Sequence, residues 1–372
     1  MLSRLKFDLS EIINEKLNYI PNYIWESKTT TFCDLQMAGG QYIKEIVNKL
    51  REFGHSDENI KSRIFGFSEN EFYLAVIQGD SSLIGVFKVY NENIDMKFDV
   101  IVGNPPYQDD NGASTSKAIW PQFVKKSMSL LNNDGYLCYI HPSSWRQLYG
   151  SVKDIQNLLL SKQILYLNLN DYKRGRELFG VQTDFDMYIL KNTPKNRYMT
   201  LINDCDDIDY NYCLDDVQII PNSNIDKFYS LISNSGTVNF INDSMYHTQR
   251  NWISNSKNSE YKYPCVYSIT KSEGIKFKYS NLNNRGHFGL PKVIWTNGSS
   301  SYPIIDETGE YGLTEFSYAI VDDVKNLKYI QTALMSDRFL KEVMSFRGLG
   351  NIYDKKIIST LKKDFWKEFI ND

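Results

Sequence analysis

Four consecutive residues, Asn104-Pro105-Pro106-Tyr107, combine hydrogen-bond acceptors, a rigid backbone and an aromatic ring. The Asn side-chain oxygen and the carbonyl oxygen of the following Pro are two acceptors, and Pro has no backbone N–H to compete with them. Held rigidly, these oxygens can accept both hydrogens of one exocyclic NH2 group. The Tyr ring can stack on the flat group that carries this amine. The tetrad therefore suits recognition of an amino group on a planar molecule.

A buried strand must position this tetrad. Residues 98–103 read Phe-Asp-Val-Ile-Val-Gly, an apolar run typical of a parallel strand covered on both faces. The two prolines cannot continue the strand, so the tetrad lies just beyond its carboxyl end, the edge where open α/β sheets bind ligands. The structural alternative is a Pro-rich turn after a core strand. The apolar run before the tetrad favours the functional interpretation.

The strand and tetrad together resemble the fourth motif, (D/N/S)-P-P-(Y/F/W), of amino-methyltransferases that use S-adenosylmethionine. An upstream turn, Asp34-x-x-x-Ala38-x-Gly40, resembles their first motif, D-P-x-x-G-x-G, with Leu35 in place of Pro and Ala38 in place of the first Gly. Gly-rich turns that feed a helix bring backbone N–H groups close to a ligand. The resemblance implies that Asp34, Ala38, Gly39 and Gly40 bind S-adenosylmethionine.

The same resemblance implies two further cofactor contacts. After the second strand the family places an acid that binds both ribose hydroxyls, and Glu69 occupies this place. Its structural alternative is a helix N-terminal Glu that complements the helix dipole. Near the cofactor adenine the family places an acidic or amide group. Asn91 or Glu92 stands about there, with Asn91 preferred, and Asp80 is a weaker candidate.

A later strand, residues 135–140, runs into His141-Pro142-Ser143-Ser144-Trp145-Arg146. A strand followed by Pro-Ser-x-Trp resembles a family motif that walls the pocket of the target base. His141 has the side chain of a general base. The implied chemistry needs no such base, so we interpret His141 as a packed histidine.

The chain as a whole predicts two domains. Helices alternate with strands up to residue 200, which indicates a doubly wound α/β sheet with helices on both faces, the Rossmann-like sheet of the methyltransferase family. The acidic stretch 201–216 reads as the seam. We therefore predict a catalytic methyltransferase domain at 1–200 and a mixed α+β target-recognition domain at 201–372.

Charge and composition exclude several classes of protein. The 372 residues are 42% hydrophobic and 23% charged, with a net charge of −3, as in an ordinary soluble protein. No run of about 18 apolar residues and no signal-peptide pattern occurs, so a cytoplasmic protein is expected. Five scattered cysteines without a CxxC pair fit reduced thiols, and together with four scattered histidines they predict no metal site.

The distribution of charge along the chain is more informative than the net charge. Residues 201–240 hold seven Asp against one Lys, whereas residues 241–300 hold eight Lys or Arg against three acids. Aromatic residues interleave with these basic ones, a pattern that suits phosphate contact and stacking. An ordinary solvated face with most aromatics in the core is the structural alternative.

The order of cofactor turn, tetrad and C-terminal extension resembles the gamma-class adenine-N6 DNA methyltransferases of bacterial and viral restriction–modification systems. This resemblance implies that Asn104 and the Pro105 carbonyl hold the N6 amino group of an adenine flipped out of double-stranded DNA, with Pro106 keeping the turn rigid and Tyr107 stacked on the base. A monomer is expected because one target base needs one site, no membrane is involved, and a separate cognate restriction endonuclease is a possible partner.

Other functions share these residues. An RNA-adenine methyltransferase is chemically equivalent. Protein-glutamine methyltransferases acting on release factors use the same amide clamp, but their extra domain precedes the catalytic one. A nuclease would need a set of metal-binding carboxylates, and Glu260-Tyr261-Lys262 is an E-x-K triplet without a preceding P-D pair. A non-catalytic DNA-binding subunit would fit the departures at Leu35 and Ala38.

Overall fold

The computed structural model describes residues 9–68, 71–90, 94–108, 118–146, 152–215, 217, 219–233, 235–298, 300–343 and 353–370. The chain divides into two compact units, Met1–Asn222 and Ser223–Asp372. Within the described ranges, no helix combines the length and apolar character that crossing a bilayer requires.

A nine-stranded sheet forms the centre of the first unit. Its strands are β1 (Phe32–Asp34), β2 (Ile64–Ser68), β3 (Val86–Val89), β4 (Phe98–Gly103), β5 (Leu131–Pro142), β6 (Lys162–Asn170), β7 (Phe185–Pro194), β8 (Met199–Asn203) and β9 (Asp209–Cys213). Their order across the sheet is β3-β2-β1-β4-β5-β7-β6-β8-β9. Strands β1 to β5 pair in parallel, whereas β7 runs antiparallel to both β5 and β6.

Helices cover this sheet. They are α1 (Ser10–Leu17), α2 (Asn22–Glu26), α3 (Gln41–Glu52), α4 (Asp57–Lys61), α5 (Glu71–Gly79), α6 (Trp120–Leu130), α7 (Lys153–Leu160) and α8 (Tyr172–Phe179). Apolar residues recur at helical spacing along α3 and join one core cluster with Val100 and Cys138 of the sheet. Tyr139 points to the opposite face, where its hydroxyl hydrogen-bonds Ser127 of α6. Helices therefore pack on both faces, as predicted.

The first unit extends past residue 200, where we predict the domain boundary, to Asn222. Strands β8 and β9 continue the large sheet, because β8 pairs in parallel with β6 and β9 pairs antiparallel with β8. The Arg146 guanidinium also binds the Ile220 carbonyl oxygen at 2.8 Å and Asn222 Oδ1 at 2.7 Å. These non-local contacts hold the acidic stretch within the first unit.

In the described residues, two four-stranded sheets, four α-helices and the short 3-10 helix Phe365–Phe369 build the second unit. The strands are β10 (Asn239–Ile241), β11 (Ile253–Ser254), β12 (Tyr263–Thr270), β13 (Gly274–Ser280), β14 (Lys292–Thr296), β15 (Ile304–Asp306), β16 (Gly312–Leu313) and β17 (Ser317–Val321). They form the sheets β10-β17-β14-β15 and β11-β13-β12-β16. The helices are α9 (Ile225–Leu231), α10 (Val324–Met335), α11 (Asp337–Glu342) and α12 (Lys355–Ser359). Val266, Ile294 and Ala319 belong to one buried cluster that joins the two sheets.

Candidate active site

The tetrad emerges from the carboxyl end of β4, in the middle of the first sheet. All but one residue of β4 are buried, because the strand lies between two others and is covered on both faces. Pro105 and Pro106 are buried, while Asn104 and Tyr107 are partly exposed. The Tyr107 carbonyl oxygen accepts a hydrogen bond from the Ile119 N–H at 3.2 Å. The tetrad is thus fixed at both ends, by the strand and by the start of α6.

The turn between β1 and α3 lies at the same edge of the sheet. Its conformation departs from an ordinary turn at two positions: Ala38 has a φ of 35° and Gly40, the residue before α3, a φ of 73°. A left-handed φ favours glycine, so Gly40 suits its place and Ala38 is strained there. The Met37 N–H donates to the Phe67 carbonyl oxygen at 2.9 Å, which anchors the turn to β2.

Asp34 ends β1 and is buried beneath this turn. Its Oδ1 accepts a hydrogen bond from the Gln36 N–H at 2.9 Å. Burial raises the pKa of Asp34 to about 7, and the Gln36 bond lowers that pKa only in part. A carboxyl with a pKa near neutrality beside a candidate site is the kind of group that responds to a charged ligand.

A cavity of about 560 Å³ joins the turn and the tetrad. Its lining includes the predicted residues Ala38, Gly39, Asn104, Pro105 and Tyr107. The predicted residues Asp34, Gly40 and Pro106 do not line the cavity. They lie next to residues that do. The structure therefore brings the two sequence motifs to one cavity, at the edge where parallel strands end.

Two polar atoms of this lining have no hydrogen-bond partner among the described residues. They are Asn104 Oδ1 and Tyr42 Oη, and both atoms are inaccessible to solvent. A buried polar atom without a partner costs about 1–3 kcal/mol, so its persistence points to a ligand that supplies the missing bond. Asn104 Oδ1 can only accept, so the ligand it fits is a hydrogen-bond donor.

The segment after β5 forms another part of the wall, with Pro142 and Ser144 in the lining. The following residues anchor it: Trp145 Nε1 and Arg146 Nε each donate to Asp186 Oδ2 at 2.7 Å. Burial raises the pKa of Asp186 to about 6, although Arg146 lowers it. An Arg–carboxylate pair buried this fully requires its additional hydrogen bonds, and it fixes the wall to β7.

His141 lies beside this wall but is buried. Its ring stacks on Trp120 with the centroids 4.3 Å apart, and Nε2 lies 3.1 Å from Tyr188 Oη. Burial lowers the pKa of His141 to about 4, so the ring is neutral at pH 7. His141 supports Trp120, which lines the cavity.

Sequence reasoning missed one wall of the cavity, formed by Phe179, Val181, Gln182 and Thr183. These residues connect α8 to β7. Because β7 is antiparallel to β5, it begins at the edge where β5 ends, and this brings its preceding loop to the site. The only local signal is Gly180, which ends α8 with a φ of 70°. The prediction of a doubly wound sheet gave no reason to place this loop at the cavity.

Two predicted cofactor contacts, Glu69 and Asn91, and the alternative Glu92 lie outside the described residues. The strands that precede them are adjacent, because Ser68 at the end of β2 pairs with Val89 of β3. Asp80 accepts hydrogen bonds from Ser82 in an exposed turn and is not in the cavity lining. In the described part of the chain, no three His, Cys, Asp or Glu side chains are grouped to hold a metal ion.

Comparison with known proteins shows what the first unit resembles. Residues 15–179 match the model of the Eco57I restriction-modification methylase family. A segment of 96 residues is 35% identical to an uncharacterized adenine-specific methylase from Mycoplasma pneumoniae, and it covers 24% of this chain and 19% of that protein. The predicted resemblance to restriction–modification methylases is therefore confirmed for residues 15–179.

Two solved structures share the fold. The type IIG restriction endonuclease BpuSI aligns with 98% of this chain and 60% of its own, with a TM-score of 0.51 and 9% identity. A nuclease-deletion mutant of the type ISP restriction-modification enzyme LlaGI, in complex with a DNA substrate mimic, aligns with 95% of this chain and 52% of its own, with a TM-score of 0.52 and 13% identity. The chain thus spans little more than half the length of these proteins. The predicted fold, an α/β sheet with helices on both faces followed by a mixed α+β unit, is confirmed.

Proposed function

We propose that this chain, whose residues 15–179 match a restriction–modification methylase family, transfers a methyl group from S-adenosylmethionine to N6 of adenine in DNA. One observation carries the proposal. Asn104 Oδ1 is a buried acceptor without a partner among the described residues, and it lies in a cavity whose wall includes the Ala38-Gly39 turn. An amide oxygen in this position accepts from an amino group, and an exocyclic amine of a base has two hydrogens to give.

The tetrad holds the base in this proposal. Asn104 Oδ1 and the Pro105 carbonyl oxygen accept the two N6 hydrogens, while Tyr107 stacks on the adenine ring. Accepting both hydrogens draws the nitrogen toward a tetrahedral geometry, so that its lone pair no longer delocalises into the ring. Positioning the amine and excluding water from it are the main contributions of the protein. Stacking on Tyr107 offsets an unstacking cost of about a few kcal/mol when the base leaves the duplex.

In this proposal the Ala38-Gly39 turn and Tyr42 hold the cofactor. The buried Tyr42 Oη offers a hydrogen-bond donor and acceptor, and the backbone of Ala38 and Gly39 lets a ligand approach closely. Asp34 lies behind the turn and would provide negative charge when ionised. When bound, S-adenosylmethionine would supply a methyl group on a positively charged sulfur that a nitrogen lone pair can take, leaving a neutral thioether, and the methylated nitrogen then loses one proton to solvent. We propose Glu69 and Asn91 as contacts to the ribose and adenine of the cofactor.

The second unit is proposed to recognise the DNA. It carries the basic segment 241–300, with eight Lys or Arg against three acids, whereas the whole chain is slightly acidic. On this proposal the first unit is the catalytic part and the second unit the target-recognition part. The substrate is then double-stranded DNA, and a separate restriction endonuclease would share its recognition sequence.

Modified-base sequencing of DNA from cells expressing the wild type, Asn104→Ala or Asn157→Ala tests the proposal. Asn157 is exposed on α7 and serves as the matched control. We expect N6-methyladenine in one short sequence context with the wild type and the control, and none with Asn104→Ala. Unmodified DNA from cells containing folded wild-type protein would contradict the proposal.

A further inference from the structure

Two arginine side chains meet at one tryptophan ring in the second unit. The guanidinium carbon of Arg250 lies 5.5 Å from the centroid of the Trp252 ring, and that of Arg285 lies 5.3 Å from it. Both arginines are exposed to solvent, and Trp252 is partly buried. Arg250 and Trp252 come just before β11, whereas Arg285 follows β13. Two separate segments therefore deliver like charges to one place.

Hydrogen bonds hold this cluster in position. Trp252 Nε1 donates to the Met245 carbonyl oxygen at 3.0 Å, and the Asn281 N–H donates to the Trp252 carbonyl oxygen at 3.1 Å. The Arg285 N–H donates to Tyr246 Oη at 3.0 Å. Tyr246 is buried, so it fixes the two segments to each other. The arginines thus extend from a rigid base, and ordering them costs less than ordering two side chains on free loops.

The three acids of the segment 241–300 and Glu315 have other partners. Asp243 lies 2.9 Å from His287 Nε2, and Glu260 Oε1 accepts from Asn281 Nδ2 at 3.3 Å. Glu273 pairs with Lys276 at 2.8 Å, and Glu315 accepts from Thr248. In the part of the chain that the structure describes, neither Arg250 nor Arg285 has a carboxylate within ion-pair distance. Two positive charges on one tryptophan ring repel each other, and negative charge beside them relieves the repulsion. The planar guanidinium with its paired N–H donors suits a phosphate group.

We propose that the cluster of Arg250, Trp252 and Arg285 contacts the phosphate backbone of double-stranded DNA. The inference rests on the proposed function and adds where the second unit touches its substrate. The basic segment 241–300 attracts a polyanion over a longer range, and the two guanidinium groups then bind neighbouring phosphates. Phosphate contacts position a protein on the duplex and carry no sequence information. The cluster therefore sets affinity and register, while sequence recognition lies elsewhere.

Salt-dependent binding of the full chain to labelled duplexes tests this assignment. The variants are Arg250→Gln, Arg285→Gln and the double variant. The control is Lys325→Gln with Lys363→Gln, two exposed lysines of the same unit outside the segment 241–300. Each lost phosphate contact lowers the magnitude of the slope of log K against log salt by about 0.9 for duplexes of roughly 30 base pairs. We expect the double variant to lose about two units of slope, equally for every sequence, with an unchanged melting temperature.

Substitution by Lys separates charge from geometry. The double Arg→Lys variant keeps both charges and loses the paired N–H donors, so it should recover the slope and only part of the affinity. Wild-type slope and affinity in the double Gln variant would overturn the assignment, as would a preference of the wild type for single-stranded RNA over duplex DNA. Duplex binding that depends on the arginines without methylated adenine would keep this surface and overturn the proposed reaction. Normal methylation and binding by the double Gln variant would keep the proposed reaction and overturn the assignment of this surface.

Discussion

The carboxylate of Asp34 lies beside Gly103, the residue immediately before Asn104. A Cβ added at Gly103 would stand 3.3 Å from Asp34 Oδ1. The register of β1 and β4, in which Asp34 is opposite Val102, sets this proximity. Strand pairing therefore brings the buried Asp34 carboxylate next to the start of the tetrad.

Replacing Asp34 by Asn should change how stability depends on pH. The pKa of Asp34 is about 7 in the folded protein and about 3.9 in an unfolded chain. The folded protein thus keeps a proton that the unfolded chain loses. Stability from this group is fully present below about pH 4 and is lost as pH rises toward 7, by up to about 1.4 kcal/mol per pH unit. Urea unfolding at pH 5 and pH 8 should show Asp34→Asn gaining stability over the wild type at the higher pH.

Asp206→Asn is the control for this measurement, because Asp206 is exposed in the same unit. The difference between this control and the wild type should be the same at both pH values. A difference between Asp34→Asn and the wild type that does not grow with pH would mean that the Asp34 carboxylate is ionised in the folded protein throughout this range.

Substitutions of Tyr107 should separate stacking from hydrogen bonding. Phe or Trp keeps a flat ring beside the base, so Tyr107→Phe should methylate DNA with kcat/KM within a few-fold of the wild type. Ala removes the stacking surface, worth about 1–3 kcal/mol per base, and should lower kcat/KM roughly 10- to 100-fold. Steady-state methylation of a defined duplex measures both. Equal losses in the Phe and Ala variants would assign the effect to the hydroxyl group instead.

The strand β4 and the position of the tetrad at its end can be predicted from the sequence, because both depend on neighbouring residues. The apolar run of β4, the two prolines and the amide follow one another, so local chemistry is enough to place Asn104 at a strand end. The turn before α3 is predicted for the same reason. Its strained Ala38 is visible only in the structure, because φ is set by how β1, β2 and α3 meet.

Features that depend on non-local pairing escape prediction. The wall from Phe179 to Thr183 reaches the cavity only because β7 inserts antiparallel between β5 and β6. The edge strand β3 is short and partly exposed, so it lacks the apolar run by which β4 is found. The extension of the first unit to Asn222 likewise depends on β8 pairing with β6. The local sequence of residues 199–213 does not predict this non-local contact.

Replacing Ala38 by Gly should stabilise the protein slightly. The φ of 35° at Ala38 favours glycine, and relief of this strain is worth about 1 kcal/mol. The greater freedom of Gly in the unfolded chain costs about 0.5 kcal/mol, so a net gain of about 0.5 kcal/mol is expected. Ala75→Gly, in the exposed face of α5, is the control and should lose about 1 kcal/mol. Chemical unfolding compares the two, and similar losses in both would show that Ala38 is unstrained.

Replacing Gly175 by Ala should displace the wall that the antiparallel strand brings to the cavity. A Cβ at Gly175 would lie 2.2 Å from the Thr183 carbonyl oxygen and 3.2 Å from that of Val181. Because both obstacles are backbone atoms, α8 and the loop must move apart, at a cost of about 1–3 kcal/mol in unfolding free energy. We expect a larger fall in kcat/KM for methylation than in cofactor affinity, since the tetrad and the turn are untouched. Gly79→Ala, with open space around the added Cβ, is the matched control. It should change neither kcat/KM for methylation nor cofactor affinity by more than about 0.5 kcal/mol. Unchanged methylation by a destabilised Gly175→Ala would remove this wall from the proposed site.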